Sequence, residues 1–207
     1  MFALIDNQKI TKFYSGNKGV IIGDNQYPKS IFTLWSEAQR NAIGIFEVTV
    51  DTTNKKDEQW YINTNVSYGV ESNKAVGSYG VATPKLLEDR NETNEDGSPM
   101  LDADGNQVVT KGLKSQKKQI IKSQASGLLT PTDWYVLKAT DVEDYSVPSA
   151  VSTFRANVRT RSNEMETAID NASDVDALAT LYAYVNTGTE ENPVYERPLG
   201  EFPTLES

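Results

Sequence analysis

Beyond Pro148 the apolar residues Val151, Phe154, Val158, Met165 and Ile169 recur at spacings of three, four and seven. That period winds them into one stripe of a long α-helix, and such a helix holds in water only when other elements cover the stripe. Pro148 suits the start, because its fixed φ and missing N–H cost nothing in a first turn. Arg155, Arg159, Arg161, Glu164 and Glu166 fall off the stripe or at its margin. The back of the chain must therefore supply partner helices, and two candidates flank this one. From Lys114 to Ser126 the pattern is helical, with Gly127 expected to interrupt it. Thr130-Pro131-Thr132-Asp133 then reads as a helix entry: Thr130 as N-cap, Pro131 at the first helical position, Asp133 three residues after the cap. Trp134, Val136 and Leu137 supply the buried side of that second helix, and the polar loop 141–145 follows. After the break at 171–173, Ser173 or Asp174 caps a last helix through Val175, Leu178, Leu181 and Tyr182.

The front of the chain has another period. Phe2-Ala3-Leu4-Ile5 is a nearly continuous apolar run, read as a buried first strand. Asp6-Asn7-Gln8 is a turn and Ile10-Thr11-Lys12-Phe13-Tyr14 the return strand. Val20-Ile21-Ile22 between glycines is a third, and Ile45-Phe46-Glu47-Val48-Thr49-Val50 the clearest. A short helix over 32–40 is capped by Ser30 and closed by Gly44. Ser67-Tyr68-Gly69-Val70 recurs as Ser78-Tyr79-Gly80-Val81 across a polar turn, read as a hairpin of two aromatic strands, since two units do not make a repeat architecture. The fold class expected is α+β: a β-rich domain over 1–84, an acidic connector or arm over 85–112, a helical module over 113–185 and an extended tail over 186–207, ordered only where a partner holds it.

Charge and residue types exclude several functions. The chain has 207 residues, net charge −9, and neither Cys nor His. Thiol nucleophiles, disulfides, Cys-based zinc sites and the usual triad base are absent with them. The negative balance argues against a nucleic-acid partner, which calls for a positive field. No apolar window reaches membrane-spanning length, and the opening residues do not form a signal peptide. Asp102-Ala103-Asp104-Gly105-Asn106 resembles the start of a calcium loop, but Gln107 and Leu113 stand where that loop requires Gly and Glu, so it reads as a turn. Paired carboxylates for glycoside cleavage need a cleft, whereas the acidic residues here cluster in the connector and tail. Neither catalysis nor a cofactor is expected. Lys111, Lys114, Lys117, Lys118 and Lys122 lie on one helix without interleaved aromatics; pairing with the acidic connector, or a solvated face, fits them better than nucleic acid.

The segment 128–159 carries the one pattern that points to a function. Thr132-Asp133-Trp134 with Val136 and Leu137, a loop, Val147-Pro148, then Phe154-Arg155 and Val158-Arg159 resembles the C-terminal module of tailed-bacteriophage small tail and tail-fibre-assembly proteins. That family more often has Tyr at the position of Phe154 and Leu-Arg at that of Val158-Arg159. Tyr27-Pro28-Lys29 and Gly44-Ile45-Phe46-Glu47-Val48 are similar to segments of small phage tail proteins. The resemblance implies a virion structural protein of the tail, baseplate or fibre region, made in the host cytoplasm, forming a homo-oligomer within an assembly and binding other virion proteins. It equally admits an assembly chaperone absent from the particle, or a capsid decoration or fibre protein. Two readings fit Asp133, Trp134, Phe154, Arg155 and Arg159. In one, Trp134 packs against Phe154 between helices while Asp133 caps or pairs with an arginine. In the other, these residues form a docking surface, as Trp and Arg do at interfaces. Tyr68 and Tyr79 are further candidates for packing or interface.

Overall fold

The computed structural model describes residues 1–205, and the fold is α+β, with an N-terminal β-rich sheet and C-terminal helices. The chain divides into two compact units, one of Met1–Thr83 and a second beginning at Pro84.

In the first unit β1 (Phe2–Asp6) and β2 (Lys9–Tyr14) form an antiparallel hairpin, Phe2 opposite Tyr14 and Asp6 opposite Lys9. Asn7 and Gln8 both have positive φ, +50° and +62°. Two successive left-handed residues give the two-residue turn whose twist matches that of the strands it joins. β3 (Val20–Ile22) and β4 (Asn25–Tyr27) make a small second hairpin. Two short helices follow rather than one: α1 (Ile31–Leu34) and α2 (Glu37–Ala42). Ser30 makes no side-chain cap. Ser36 does, in a capping box in which its hydroxyl accepts from the Gln39 N–H while the Gln39 side chain accepts from the Ser36 N–H. Two donors at the start of α2 are satisfied that way, which is why the chain breaks at Trp35 and restarts.

β5 (Ile45–Asp51) lies antiparallel to β1 and parallel to the strand Lys74–Ser78. After the two-residue strand β6 (Tyr61–Ile62), β7 (Ser67–Glu71) and β8 (Lys74–Ser78) form the expected hairpin, turning at Ser72 and Asn73 with positive φ. The two-residue strand β9 (Thr83–Pro84) follows. The main sheet runs β2-β1-β5-β8-β7 and curls until its outer strands meet. The Phe13 and Tyr68 rings approach edge to face at 4.9 Å, and the Gln8 amide donates to Asn73 Oδ1 at 2.8 Å. A sheet whose edges converge offers little free edge to another chain. Val20, Ile31, Phe32 and Ile45 form a buried cluster, with Phe2, Leu4, Tyr14, Tyr27 and Trp35 packed around it.

The two halves of the tyrosine echo are not equivalent. Tyr68 sits on β7 opposite Gly77, where a Cβ would come within 2.7 Å of the Tyr68 ring. Tyr79 lies past the end of β8, where its carbonyl accepts from Asn54 and Lys55 stands 5.7 Å from its ring. The expected pair of aromatic strands is one aromatic strand and one aromatic loop, because the register ends at Ser78.

In the second unit the acidic stretch 85–112 folds on itself and along a helix. β10 (Arg90–Asn91) pairs with β11 (Val109–Thr110), and bridges Thr93–Pro99 and Leu101–Gln107 extend the pairing. Asp96 accepts from the Ser98 N–H and hydroxyl, and Asp102 from the Asp104 and Asn106 N–H groups. The 102–106 segment is thus a side-chain-stapled turn. The helix α3 (Leu113–Leu129) begins where the Leu113 and Lys114 N–H groups donate to the Leu86 and Leu87 carbonyls, and a side chain on Gly112 would collide with Glu88. α3 passes straight through Gly127. It then tightens into a 3₁₀ turn at Thr130–Thr132, so Thr130 is not an N-cap but closes α3, its backbone N–H and its hydroxyl both donating to Ser126 O, the hydroxyl at 2.8 Å.

α4 (Asp133–Asp141), α5 (Ser149–Asp170) and α6 (Val175–Tyr182) follow, the last capped by Asp174, whose carboxylate accepts from the Ala177 N–H at 2.8 Å. All five residues of the α5 stripe are buried. Leu113, Ile121 and Ala125 of α3 and Val175 and Leu178 of α6 are buried with them. The chain does not then trail away as an extended tail. β12 (Val185–Asn186) and β13 (Tyr195–Glu196) pair, and Leu199 is 2% exposed. The last two residues of the expected tail, Glu206 and Ser207, lie outside the described residues.

Candidate functional site

Of the residues singled out in the sequence, Asp133 and Arg155 meet at the corner where α3 gives way to α4, with Trp134, Phe154 and Arg159 next to them in the chain, while Tyr68 and Tyr79 belong to the first unit. A helix ends with carbonyls that no N–H of its own can reach, and a cation there is favourable. Arg155, from the middle of α5, fills that role. Its Nη1 donates to Leu129 O at 2.9 Å and to the Thr132 hydroxyl at 2.6 Å, and lies 2.8 Å from Asp133 Oδ1. Thr132 in turn donates to Leu129 O at 2.7 Å. The guanidinium is buried, its residue 9% exposed, while Asp133 reaches solvent. Arg155 therefore belongs to the packed side of α5 and not to its margin. Arg159 stays outside, donating to the Arg155 carbonyl at 3.3 Å.

Asp133 pairs with an arginine, but Trp134 and Phe154 do not meet between the helices. Phe154 is 7% exposed, clustered with Ala125 and Val158 and flanked by Leu128, Leu129 and Phe202. Trp134 is 51% exposed; its ring lies against Tyr135, with centroids 3.8 Å apart. In the place that one of the two readings gave to Trp134, the Phe154 cluster has Phe202, which arrives from the far end of the chain. α4 buries none of its residues, and Val136 and Leu137 face solvent beside Trp134. Lys138 lies 4.3 Å from the Tyr145 ring and 6.0 Å from that of Trp134, a cation held over an aromatic pair.

The five lysines expected on one helix are not all on it: Lys111 precedes α3, and Lys114, Lys117, Lys118 and Lys122 lie on it. Lys111 pairs with Asp89 at 2.8 Å, Lys118 with Asp170 at 2.6 Å and Lys122 with Glu166 at 3.4 Å. Lys114 bridges Glu88 and the Asp170 carbonyl, and Lys117 lies 5.0 Å from the Tyr182 ring. The acidic stretch pairs with Lys111 and Lys114 only; Lys118 and Lys122 are paired by Asp170 and Glu166 of α5, so the expected pairing with the connector covers part of the run. Donation from Lys111, Ser115 and the Gly112 N–H holds the Asp89 carboxyl down at about 2. Burial pushes the Tyr182 phenol up to about 12, against the opposing pull of Arg197. Among the described residues no group of three or more carboxylates is arranged to hold a metal ion.

One cluster had no sequence signal of its own. Arg161, Leu199, Gly200 and Phe202 lock the 199–202 segment onto α5. The only trace is Leu199 and Phe202 three apart around Gly200, too short for a period to register.

No protein-family model, no curated protein and no solved structure matches the chain.

Proposed function

We propose that the protein is a structural component of a tailed-phage virion, in the tail, baseplate or fibre-attachment region, and that it acts by contact with other virion proteins and with its own copies, not by catalysis. The observation that carries this is the division within the Thr132-to-Arg159 pattern. Its polar members, Thr132, Asp133 and Arg155, knit a corner together. Its apolar members on α4, Trp134, Val136 and Leu137, are turned to solvent. A rigid corner that presents a tryptophan and two aliphatic side chains is the composition of an interface centre, where a buried aromatic anchor carries much of the binding energy. The resemblance of the same residues to the phage tail module supplies the kind of partner.

The paired lysines and the net charge of −9 also favour protein over nucleic acid as partner. No helix among the described residues is long and apolar enough to cross a membrane.

Mass spectrometry of purified particles tests the proposal. The chain is expected in mature virions at a stoichiometry fixed relative to a tail protein. Its presence in infected cells and absence from mature particles overturns the structural role and leaves the assembly-chaperone reading. Imaging that locates it on the capsid instead makes it a decoration protein.

A further inference from the structure

The outward side of α4 is apolar over most of its length and negative at its end. Tyr135 and Ala139, four residues apart, are its half-buried positions, so Trp134, Leu137 and Asp141, spaced three and four, fall on the exposed side. Leu137, in the middle of that side, is 63% exposed. The face continues into the loop beyond the helix. Val142 is exposed, Asp144 turns the chain with φ +67°, and the Tyr145 N–H donates back to Val142 O at 3.3 Å. Tyr145 is thereby folded against Lys138, 4.3 Å from its ring, and Lys138 stands 6.0 Å from the ring of Trp134. The loop carboxylates are thus kept beside the apolar face.

Those carboxylates are unspent. Asp141, Glu143 and Asp144 are exposed, and among the described residues none of them accepts a hydrogen bond or pairs with a cation. The lysines Lys114, Lys118 and Lys122 of α3 are already taken by Glu88, Asp170 and Glu166, and Asp133 by Arg155. Lys138 is the one cation between Asp133 and Tyr145, so three free carboxylates leave the patch at a net −2. The last carbonyls of α4 add the negative end of its dipole. An apolar face with unpaired negative charge at one end is complementary to a segment of the opposite pattern. The ridges of a helix surface are filled best by those of a second helix.

We infer that the exposed side of α4 and the loop after it dock a basic amphipathic helix of a partner protein, whose apolar residues cover Trp134 and Leu137 and whose lysines or arginines meet Asp141, Glu143 and Asp144. The inference rests on reading α4 as an interface and adds the chemistry of what it binds. The carboxylates steer the approach and fix the direction of the docked helix, and Trp134 supplies the anchor. A neutral apolar partner would cover the carboxylates without compensating their lost hydration. An acidic one would meet like charge with Lys138 alone to answer it.

The probe is a labelled peptide of about 18 residues, leucine and lysine at helical spacing, long enough to hold a helix. Fluorescence anisotropy reads its binding to the full-length protein near physiological ionic strength, where charges more than about 8 Å away are largely screened. Two control peptides keep the leucines and replace every lysine, by glutamine in one and by glutamate in the other. The lysine peptide is expected to bind about tenfold or more tightly than either control. Trp134→Ala should weaken it about tenfold or more, and so should Asp141→Asn, Glu143→Gln and Asp144→Asn combined. Glu95→Gln, Glu190→Gln and Glu191→Gln combined remove the same charge from exposed positions elsewhere and should change binding by less than about twofold. Equal losses from the two triple variants overturn the inference, since the charge of the whole chain would then be the attractant. Binding that survives Trp134→Ala overturns it too, as does a glutamine peptide that binds as well as the lysine one, which makes the partner neutral. Preference for the glutamate peptide, which makes Lys138 the reader, or no binding of the lysine peptide also overturns it. The readout uses purified protein, so absence of the chain from virions leaves the inference standing. A failed peptide test leaves α4 as an interface for a partner of other chemistry.

Discussion

The Arg155 guanidinium donates to the Thr132 hydroxyl at 2.6 Å, 23 positions away in the chain, and so ties the middle of α5 to the corner between α3 and α4. The same nitrogen reaches Leu129 O and Asp133. Because the cation is buried while the carboxylate is half in water, the partners are unequal. Arg155→Ala strips a cation from the end of α3 and takes one donor from each of Thr132 and Leu129. It is expected to destabilise the second unit by about 3 kcal/mol. Asp133→Asn removes a half-exposed charge and leaves the other two bonds in place, for a cost of about 0.5–1 kcal/mol. Urea unfolding of both variants checks this; equal losses would show that the ion pair, and not the carbonyl and hydroxyl contacts, holds the corner.

A second expectation concerns acid. Asp89 accepts from Lys111 at 2.8 Å and from the Gly112 N–H at 2.9 Å, and these donors with Ser115 hold its carboxyl at about 2 in the folded chain. The unfolded value is about 3.9. A folded value below the unfolded one means the native state binds its proton later. The group's contribution is therefore complete above pH ~4 and is lost as pH falls through ~2. Asp174, lowered by the Ala177 N–H and the Ser173 hydroxyl, acts with the same sign. The stability difference between the protein and its Asp89→Asn variant should be constant at neutral pH and close between pH ~4 and ~2. A difference that does not change with pH would mean that Asp89 is not held ionised by these donors.

In the sheet, Tyr68 lies over Gly77 on the neighbouring strand before its ring meets Phe13. A Cβ at Gly77 would stand 2.7 Å from the Tyr68 ring and 2.8 Å from Val66 Cγ1. Gly77→Ala is expected to cost about 1–3 kcal/mol through that crowding. The share of the cost owed to the ring should vanish in a Tyr68→Ala background, while the Val66 contact keeps the rest. A double-mutant cycle measures the coupling, and additive effects would contradict the packing described.

The same residues show what a sequence discloses and what it hides. The hairpin turn at Asn7, strand β5 and the buried stripe of α5 all follow from local period and turn chemistry, which act within a dozen residues. Gly127 has the local signature of a break, yet α3 runs through it. A glycine inside a helix costs only about 1 kcal/mol against alanine, and the neighbouring Ala125, Leu128 and Leu129, packed around Phe154, offset it. The Thr130-Pro131 pair has the signature of a helix start, yet proline is equally at home in the first turn of a 3₁₀ corner that continues from a helix. Packing of Trp134 on Phe154 is one of two readings the motif allows, and the structure does not bring the two rings together. Phe202, the actual neighbour of the Phe154 cluster, comes from a segment with no period at all, and nothing local marks a long-range contact of that kind. Asp133 with an arginine was legible because opposite charges bracket the loop; that Arg155 would also close the end of α3 was not, since it depends on α3 running on to Leu129.

Trp134 offers the sharpest test of whether α4 is an interface. It is half exposed, on a helix that buries none of its residues, with its ring against Tyr135 and near Lys138, so little of the fold depends on it. Trp134→Ala should leave stability unchanged to within about 0.5 kcal/mol. Acrylamide should quench one component of the three-tryptophan emission readily in the parent protein, and that component should be missing from the variant. If α4 docks onto a virion partner, the variant's recovery in purified particles should fall about tenfold or more, the scale of an aromatic anchor worth about 1.4 kcal/mol. Leu137→Ala, on the same exposed turn, should act in the same direction. Loss of stability on removing Trp134 would instead make it part of the core, and full recovery of both variants in particles would move the interface away from α4.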